Sequence, residues 1–129
     1  MNKVLLIIFL NFLLIGCSTT GEGYMQQQQL LTQINEGKAP IIIDVRSTGE
    51  YQSGHVPGAI HVPFWSAFST DKMDVYKKED PIVMYCAHGP RAGIAKLAFY
   101  LAGFKNLSYL SGHMTAWSKA GLPMEFPQK

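Results

Sequence analysis

Cysteine is nearly missing from this chain: its 129 residues contain two, Cys17 and Cys86. So few exclude a scaffold stapled by several disulfides. Charge is sparse as well, at 16% of residues, and the formal net charge of +2 comes from Lys and Arg that are scattered rather than clustered. That distribution leaves no electrostatic footprint for nucleic acid, and none is expected as a partner. His, Cys and carboxylate side chains do not gather at metal-ligand spacings, so neither a metal nor any other cofactor is expected. No internal repeat is evident, and no apolar run reaches the ~20 residues that a spanning helix needs. What is present is a hydrophobic content of 47%, in a chain long enough for one compact core and too short for two ordinary domains.

The longest apolar run lies at the start. Lys3 gives a short cationic opening, Val4 to Ile15 is almost entirely apolar, and Leu14-Ile15-Gly16-Cys17 closes the segment. A run of that length favours a secretory signal over a transmembrane anchor. The closing quartet resembles the bacterial lipobox, which implies cleavage before Cys17 and lipidation of Cys17. Residues 1–16 are then expected to be a lipoprotein signal peptide, 17–23 a lipidated cysteine with a flexible tether of small polar residues, and 24–127 the folded domain. The expected location is the bacterial cell envelope, with the lipid anchor in a membrane and the domain facing the periplasm or the exterior. Losing Lys3 with the signal leaves 10 of the 11 cations against 9 acids, a mature net charge of +1.

Cys86 becomes the sole thiol of such a mature chain. A solitary cysteine in an oxidising compartment invites oxidation, which favours a chemical role, although an apolar strand can equally end in a buried, inert cysteine. The stretch Ile82-Val83-Met84-Tyr85-Cys86-Ala87-His88-Gly89-Pro90-Arg91 reads as a strand, a tight loop and a helix start. It presents the thiol at a strand's carboxyl end, facing the backbone N–H groups that open the next helix. Around it, 24–36 is expected as a helix with Leu30, Leu31 and Ile34 on one face and Gly37 as its stop. Ile41 to Val45 reads as a buried strand, and Ser47-Thr48-Gly49-Glu50 as a capping box opening a short helix. A short strand at 59–62 and a helical turn at 64–68 follow, and then a surface connection at 69–80. The helix after the loop is expected to turn Ile94, Leu97, Ala98 and Leu101 toward the core. A strand at 107–110 and a helix at 114–120 bearing Trp117 complete a mostly parallel α/β sheet covered on both faces.

Three separated segments resemble the rhodanese homology domain. They are Ile43-Asp44-Val45-Arg46 with Glu50-Tyr51 and Gly54-His55-Val56-Pro57-Gly58-Ala59 and His61-Val62-Pro63; the C-x-x-G-x-R loop from Cys86 to Arg91; and Leu110-Ser111-Gly112 with Trp117 and Ala120-Gly121-Leu122-Pro123. The resemblance covers about residues 25 to 125 in the expected order. It implies a rhodanese-like fold with a central, mostly parallel five-stranded sheet, and a sulfurtransferase in which Cys86 takes sulfur from a small-molecule donor such as thiosulfate and passes it to a thiol or cyanide acceptor. His113 stands where the family often has a second Gly after Leu-x-Gly, which either alters a backbone turn or adds a polar group.

An unperturbed thiol of pKa ≈ 8.5 is only a few per cent ionised at neutral pH. Lowering it by about two units takes ~2.7 kcal/mol, whereas a helix terminus supplies at most ~2 kcal/mol. Inward-pointing loop amides therefore have to supply the rest, from Ala87, His88, Gly89, Arg91 and first helical residues such as Ala92, since Pro90 has no N–H. Arg91 either binds the sulfonate end of a donor or pairs with an acid on the helix surface, and His88 is either a pocket wall or an exposed loop residue. Asp44 and Arg46 are expected to support the site as a loop brace, and His55 and His61 to be structural. A cysteine-dependent phosphatase is disfavoured, because four residues separate Cys86 from Arg91 where such enzymes have five. A non-catalytic rhodanese-like module, binding a partner or sensing redox state through Cys86, is the alternative from another class.

Overall fold

The computed structural model describes residues 23–128. The expected signal peptide, the Cys17 lipidation site and all but the last residue of the tether lie outside the described residues. Tyr24–Met25 forms β1, Gln27–Asn35 α1, Ile41–Asp44 β2, Thr48–Gln52 α2, Ile60–His61 β3, Ile82–Tyr85 β4, Pro90–Leu101 α3, Leu107–Leu110 β5 and His113–Lys119 α4, with a single 3-10 turn at Phe64–Ser66. The five strands form one sheet in the order β1-β5-β4-β2-β3, with every neighbouring pair parallel. The five-stranded parallel α/β architecture expected from the resemblance is therefore the one observed.

Strand periodicity decides which side chain meets which layer. Along β4, Ile82 and Met84 point into one core layer, and Val83 and Tyr85 into the other. Cys86, one residue on, returns to the Ile82 side, where it joins Ile43, Val45, Ala92, Ala95 and Phe99 beneath α3. The opposite layer packs Leu30 of α1 and Met114 and Trp117 of α4 against Ile42, Val83 and Leu110. From β2 the chain steps outward to β3, and from β4 it steps the other way to β5. The carboxyl ends of β2 and β4 thus flank the point where the strand order reverses, the usual place for a crevice in an open α/β sheet. Cys86 follows β4 directly at that point.

Three expectations change. The helix expected over 24–36 begins only at Gln27, because Tyr24 and Met25 pair with Tyr109 and Leu110 as an edge strand. The helix α3 buries Ala92, Ala95, Ala98 and Phe99, while Ile94, Leu97 and Leu101 are 45%, 53% and 67% exposed. Small alanines let the helix axis approach the sheet closely, and the larger residues that dominate the hydrophobic pattern are turned outward. The 69–80 connection does run over the surface, yet it anchors Met73 in the core and rests Tyr76 against it. Among the described residues no helix is long and apolar enough to cross a membrane.

Candidate active site: the loop around Cys86

The Cys86 sulfur sits at the floor of the turn that joins β4 to α3. Cys86 is fully buried, and Gly89, at φ 135°, turns its N–H back onto the sulfur at 2.9 Å. A side chain at position 89 would be strained in that conformation, which accounts for a glycine there. Pro90 then begins α3, where a missing N–H costs no intrahelical bond. The amides of His88, Gly89 and Ala92 all act on the sulfur. Ala87 faces the other way: its carbonyl accepts from the Thr115 N–H and hydroxyl of α4, at 3.2 and 2.8 Å. The Cys86 carbonyl likewise accepts from Met114 N–H at 3.0 Å, so α4 fixes the far side of the loop.

Burial pushes the Cys86 thiol up, but hydrogen bonding by the His113 side chain and by the amides of Ala92, Gly89 and His88 outweighs it and brings the thiol from 9.0 down to about 6. That drop corresponds to roughly 4 kcal/mol in favour of the anion. A helix terminus provides no more than ~2 kcal/mol, so direct hydrogen bonds carry much of the effect. With its thiol at about 6, Cys86 is mostly thiolate at neutral pH, and no separate general base is needed to ionise it.

Arg91 forms a two-pronged ion pair with Glu50, Nη1 donating to Oε2 at 2.7 Å and Nη2 to Oε1 at 2.9 Å. Glu50 also closes the capping box of α2, accepting from the Ser47 N–H at 3.0 Å while its own N–H donates to Ser47 Oγ at 3.3 Å. Its carboxyl is held well below the usual range, chiefly by Arg91, against the opposing effect of burial. The Arg91 guanidinium, raised first by Glu50, also feels the Cys86 sulfur. It therefore holds positive charge beside the thiol while its fork is engaged by the acid. The exposed His88 ring turns away to the Thr115 hydroxyl, 3.2 Å from Nδ1.

Asp44 and Arg46 form a brace beneath the site. Asp44 is completely buried; its Oδ1 accepts from the Arg46 backbone N–H at 2.9 Å and its Oδ2 from Arg46 Nη2 at 2.7 Å. The Tyr85 hydroxyl donates to Oδ2 at 2.8 Å and accepts from Val56 N–H at 3.0 Å, while Arg46 Nη2 also donates to the Gly54 carbonyl at 2.8 Å. These bonds tie the end of β2, the residue preceding Cys86 and the Gly54–Val56 turn into one unit. His55 and His61 are structural: both stack on Tyr51, and His61 Nε2 bonds the Arg46 carbonyl at 2.8 Å. Trp117 is core, with its indole N–H donating to the Pro123 carbonyl at 2.9 Å.

His113 adds a polar group while keeping a backbone conformation of the kind glycine favours. Its φ of 55° is the only positive value outside glycine among the described residues. Its buried ring also reaches back to the loop, where Nδ1 accepts the Cys86 N–H at 3.2 Å. Two open clefts of about 350 and 360 Å³ are lined by residues such as Gln27, Gly112 and Ala116, and by Ile34, Pro57 and Glu125. Cys86 lines neither of them.

Comparison with known proteins places this geometry in a family. The family model described as Rhodanese-like domain matches residues 26–120. The thiosulfate:glutathione sulfurtransferase of Saccharomyces cerevisiae is 34% identical over 92 residues, which are 63% of this chain and 66% of that protein. A tRNA uridine(34) hydroxylase of Buchnera aphidicola is 32% identical over 114 residues, 82% of this chain but 35% of the hydroxylase. The chain therefore spans about two thirds of the yeast relative's length and about one third of the hydroxylase's. The solution structure of the rhodanese-like domain of an Anabaena protein superimposes with a TM-score of 0.70 at 28% identity, covering 82% of this chain and 80% of that one.

Proposed function

Because the chain belongs to the rhodanese-like domain family, we propose that it is a sulfurtransferase that carries sulfane sulfur as a persulfide on Cys86. The observation that carries this reading is the ionised, amide-cradled sulfur at the end of β4, with its thiol at about 6. The Cys86 thiolate attacks the outer sulfur of thiosulfate; a new S–S bond forms, the old one breaks, and its electron pair leaves with sulfite. The cysteine persulfide anion then gives its outer sulfur to an attacking thiolate or cyanide, and the Cys86 thiolate is regenerated. Charge balances in both steps without an oxidant or reductant.

Each part of the loop has a task in this scheme. The amides of His88, Gly89 and Ala92 hold the thiolate before attack and again when it departs as the leaving group. Arg91 offsets charge as a dianionic donor approaches an anionic sulfur, and Glu50 keeps its guanidinium in place. Asp44 and Arg46 keep the strand ends in register. In a persulfide the outer sulfur stands about 2.05 Å beyond Sγ, so the atom that is transferred lies further out than the buried Cys86 sulfur. The Glu50 pair also leaves Arg91 less suited to wrapping a phosphate, which disfavours the phosphatase reading.

The relative named thiosulfate:glutathione sulfurtransferase supports thiosulfate as donor and a small thiol as acceptor. The measurement is sulfite release from thiosulfate, with thiocyanate or glutathione persulfide as the second product. Activity abolished in Cys86→Ala supports the reading, and a wild-type chain that releases no sulfite sinks it. The same low-pKa thiol favours redox sensing as a second reading, in which peroxide would oxidise Cys86 while thiosulfate left it unchanged. The Leu14-Ile15-Gly16-Cys17 motif supports a lipid-anchored domain in the cell envelope. Its test is labelled fatty acid, which should be incorporated into wild type and not into Cys17→Ser.

A further inference from the structure

His113 sits where an L-residue is strained, at φ 55°, and its side chain is directed inward rather than to solvent, with the residue 7% exposed. A histidine that served only to fill space would gain nothing from that conformation over the glycine that it favours. The ring is fixed by one decisive contact. The Cys86 backbone N–H, which can only donate, points at Nδ1 from 3.2 Å, so Nδ1 is the acceptor nitrogen and in the neutral ring the hydrogen resides on Nε2. Nε2 lies on the Gly89 side of the loop, since a Cβ placed on Gly89 would fall 3.4 Å from it. The N–H of that same Gly89 donates to the Cys86 sulfur at 2.9 Å.

We propose that His113 is a hydrogen-bond donor to the Cys86 sulfur, its tautomer locked by the Cys86 N–H so that the neutral imidazole presents Nε2–H to the thiolate alongside the loop amides. The other groups around the sulfur are the amides of His88, Gly89 and Ala92 from the loop and α3, the Arg91 guanidinium from α3, and the Tyr109 hydroxyl from β5. His113 is the contribution of α4, and its side chain acts on the sulfur beside the Arg91 guanidinium of α3. The cysteine therefore fixes the histidine through its amide, and the histidine holds the cysteine through its sulfur. This rests on Cys86 being the working nucleophile, and it adds a residue from outside the C-x-x-G-x-R loop to the machinery that keeps it ionised.

The test uses the full chain with Cys17→Ser, so that Cys86 is the sole thiol. The pH dependence of Cys86 alkylation is measured in this background and in His113→Gly and His113→Asn, residues that both accept a positive φ. The expected result is an alkylation midpoint near 6 in the reference chain, moved up by about one unit in His113→Gly, which is about a tenfold loss of thiolate at pH below the midpoint. Relief of the strained backbone offsets part of the cost of leaving the buried Cys86 N–H without its acceptor, and His113→Asn should also show a higher alkylation midpoint. Long-range proton–nitrogen correlation on the reference chain should report an unprotonated Nδ1. Superimposed alkylation profiles for reference and both variants, or a protonated Nδ1, would overturn the proposal. A reference thiolate that is lost in His113→Gly but accepts no sulfur from thiosulfate would uphold this inference and defeat the sulfurtransferase reading instead.

Discussion

Replacing Asp44 by alanine removes the acceptor on which the strand-end brace converges, and the structure sets the scale of the loss. Asp44 is 0% and Arg46 6% exposed, so the substitution strands a guanidinium in the interior with only the Gly54 carbonyl to accept from it. Breaking a buried pair by deleting one partner costs about 3–5 kcal/mol. The Tyr85 hydroxyl also loses its acceptor on Oδ2, adding about 1 kcal/mol or more for a buried donor left unmade. Asp44→Ala should therefore destabilise the domain by about 4–6 kcal/mol, a large share of the ~5–15 kcal/mol typical of a domain. Urea denaturation followed by circular dichroism measures the change. The double variant is the sharper test. Asp44→Ala with Arg46→Met removes the stranded charge and should recover a large part of the loss, so the two substitutions should be strongly non-additive. A single variant within about 1 kcal/mol of wild type, or a double variant no more stable than the single, would show that the pair acts as an ordinary surface contact.

Because the folded-state Cys86 thiol lies near 6 against an ordinary 9.0, its contribution to stability is fully present above pH 9 and is lost as pH falls through 6. At about 1.4 kcal/mol per pKa unit it amounts to roughly 4 kcal/mol above pH 9 and about 1 kcal/mol at pH 7; denaturation midpoints should rise across that window in wild type and stay flatter in Cys86→Ala. Gly89→Ala forces a Cβ onto a backbone at φ 135°, 3.4 Å from the His113 ring, and should cost about 1 kcal/mol or more while slowing Cys86 alkylation at pH 6.5. Glu50→Ala removes the capping partner of Ser47 and the anchor of Arg91. Its expected cost is about 1–2 kcal/mol, mostly from the cap, since the half-exposed ion pair contributes less than about 1 kcal/mol.

The strands that flank the site could be read from the chain because their signals are local. Ile41-Ile42-Ile43 and Ile82-Val83-Met84 are continuous apolar runs, and both became central strands. The Ser47–Glu50 capping box was legible for the same reason, as its two members stand three residues apart. The edge strand β1 was not, because two residues carry no periodicity and Tyr24–Met25 is a strand only by pairing with β5. The buried face of α3 was misjudged because Ala92, Ala95 and Ala98 weigh little in a hydrophobic pattern that Ile94, Leu97 and Leu101 dominate. At the site, a cysteine at a strand's end before Gly, Pro and Arg pointed to an amide cradle, and the Gly89 N–H reaches the sulfur at 2.9 Å. His113 was noticed as an unusual residue, but its bond to the Cys86 amide spans 27 positions and depends on a backbone conformation that no local pattern specifies. The Arg91–Glu50 pair, 41 positions apart, left two readings of Arg91 open until the fold joined its ends.

Intact-mass spectrometry of the Cys17→Ser chain after incubation with thiosulfate tests the central claim most directly. Sulfur transfer through Cys86 predicts a gain of one sulfur atom per chain, matched by released sulfite, discharged by cyanide or glutathione, and absent from the Cys86→Ala variant. A chain whose mass does not change, or a mass gain that survives in Cys86→Ala, would contradict it.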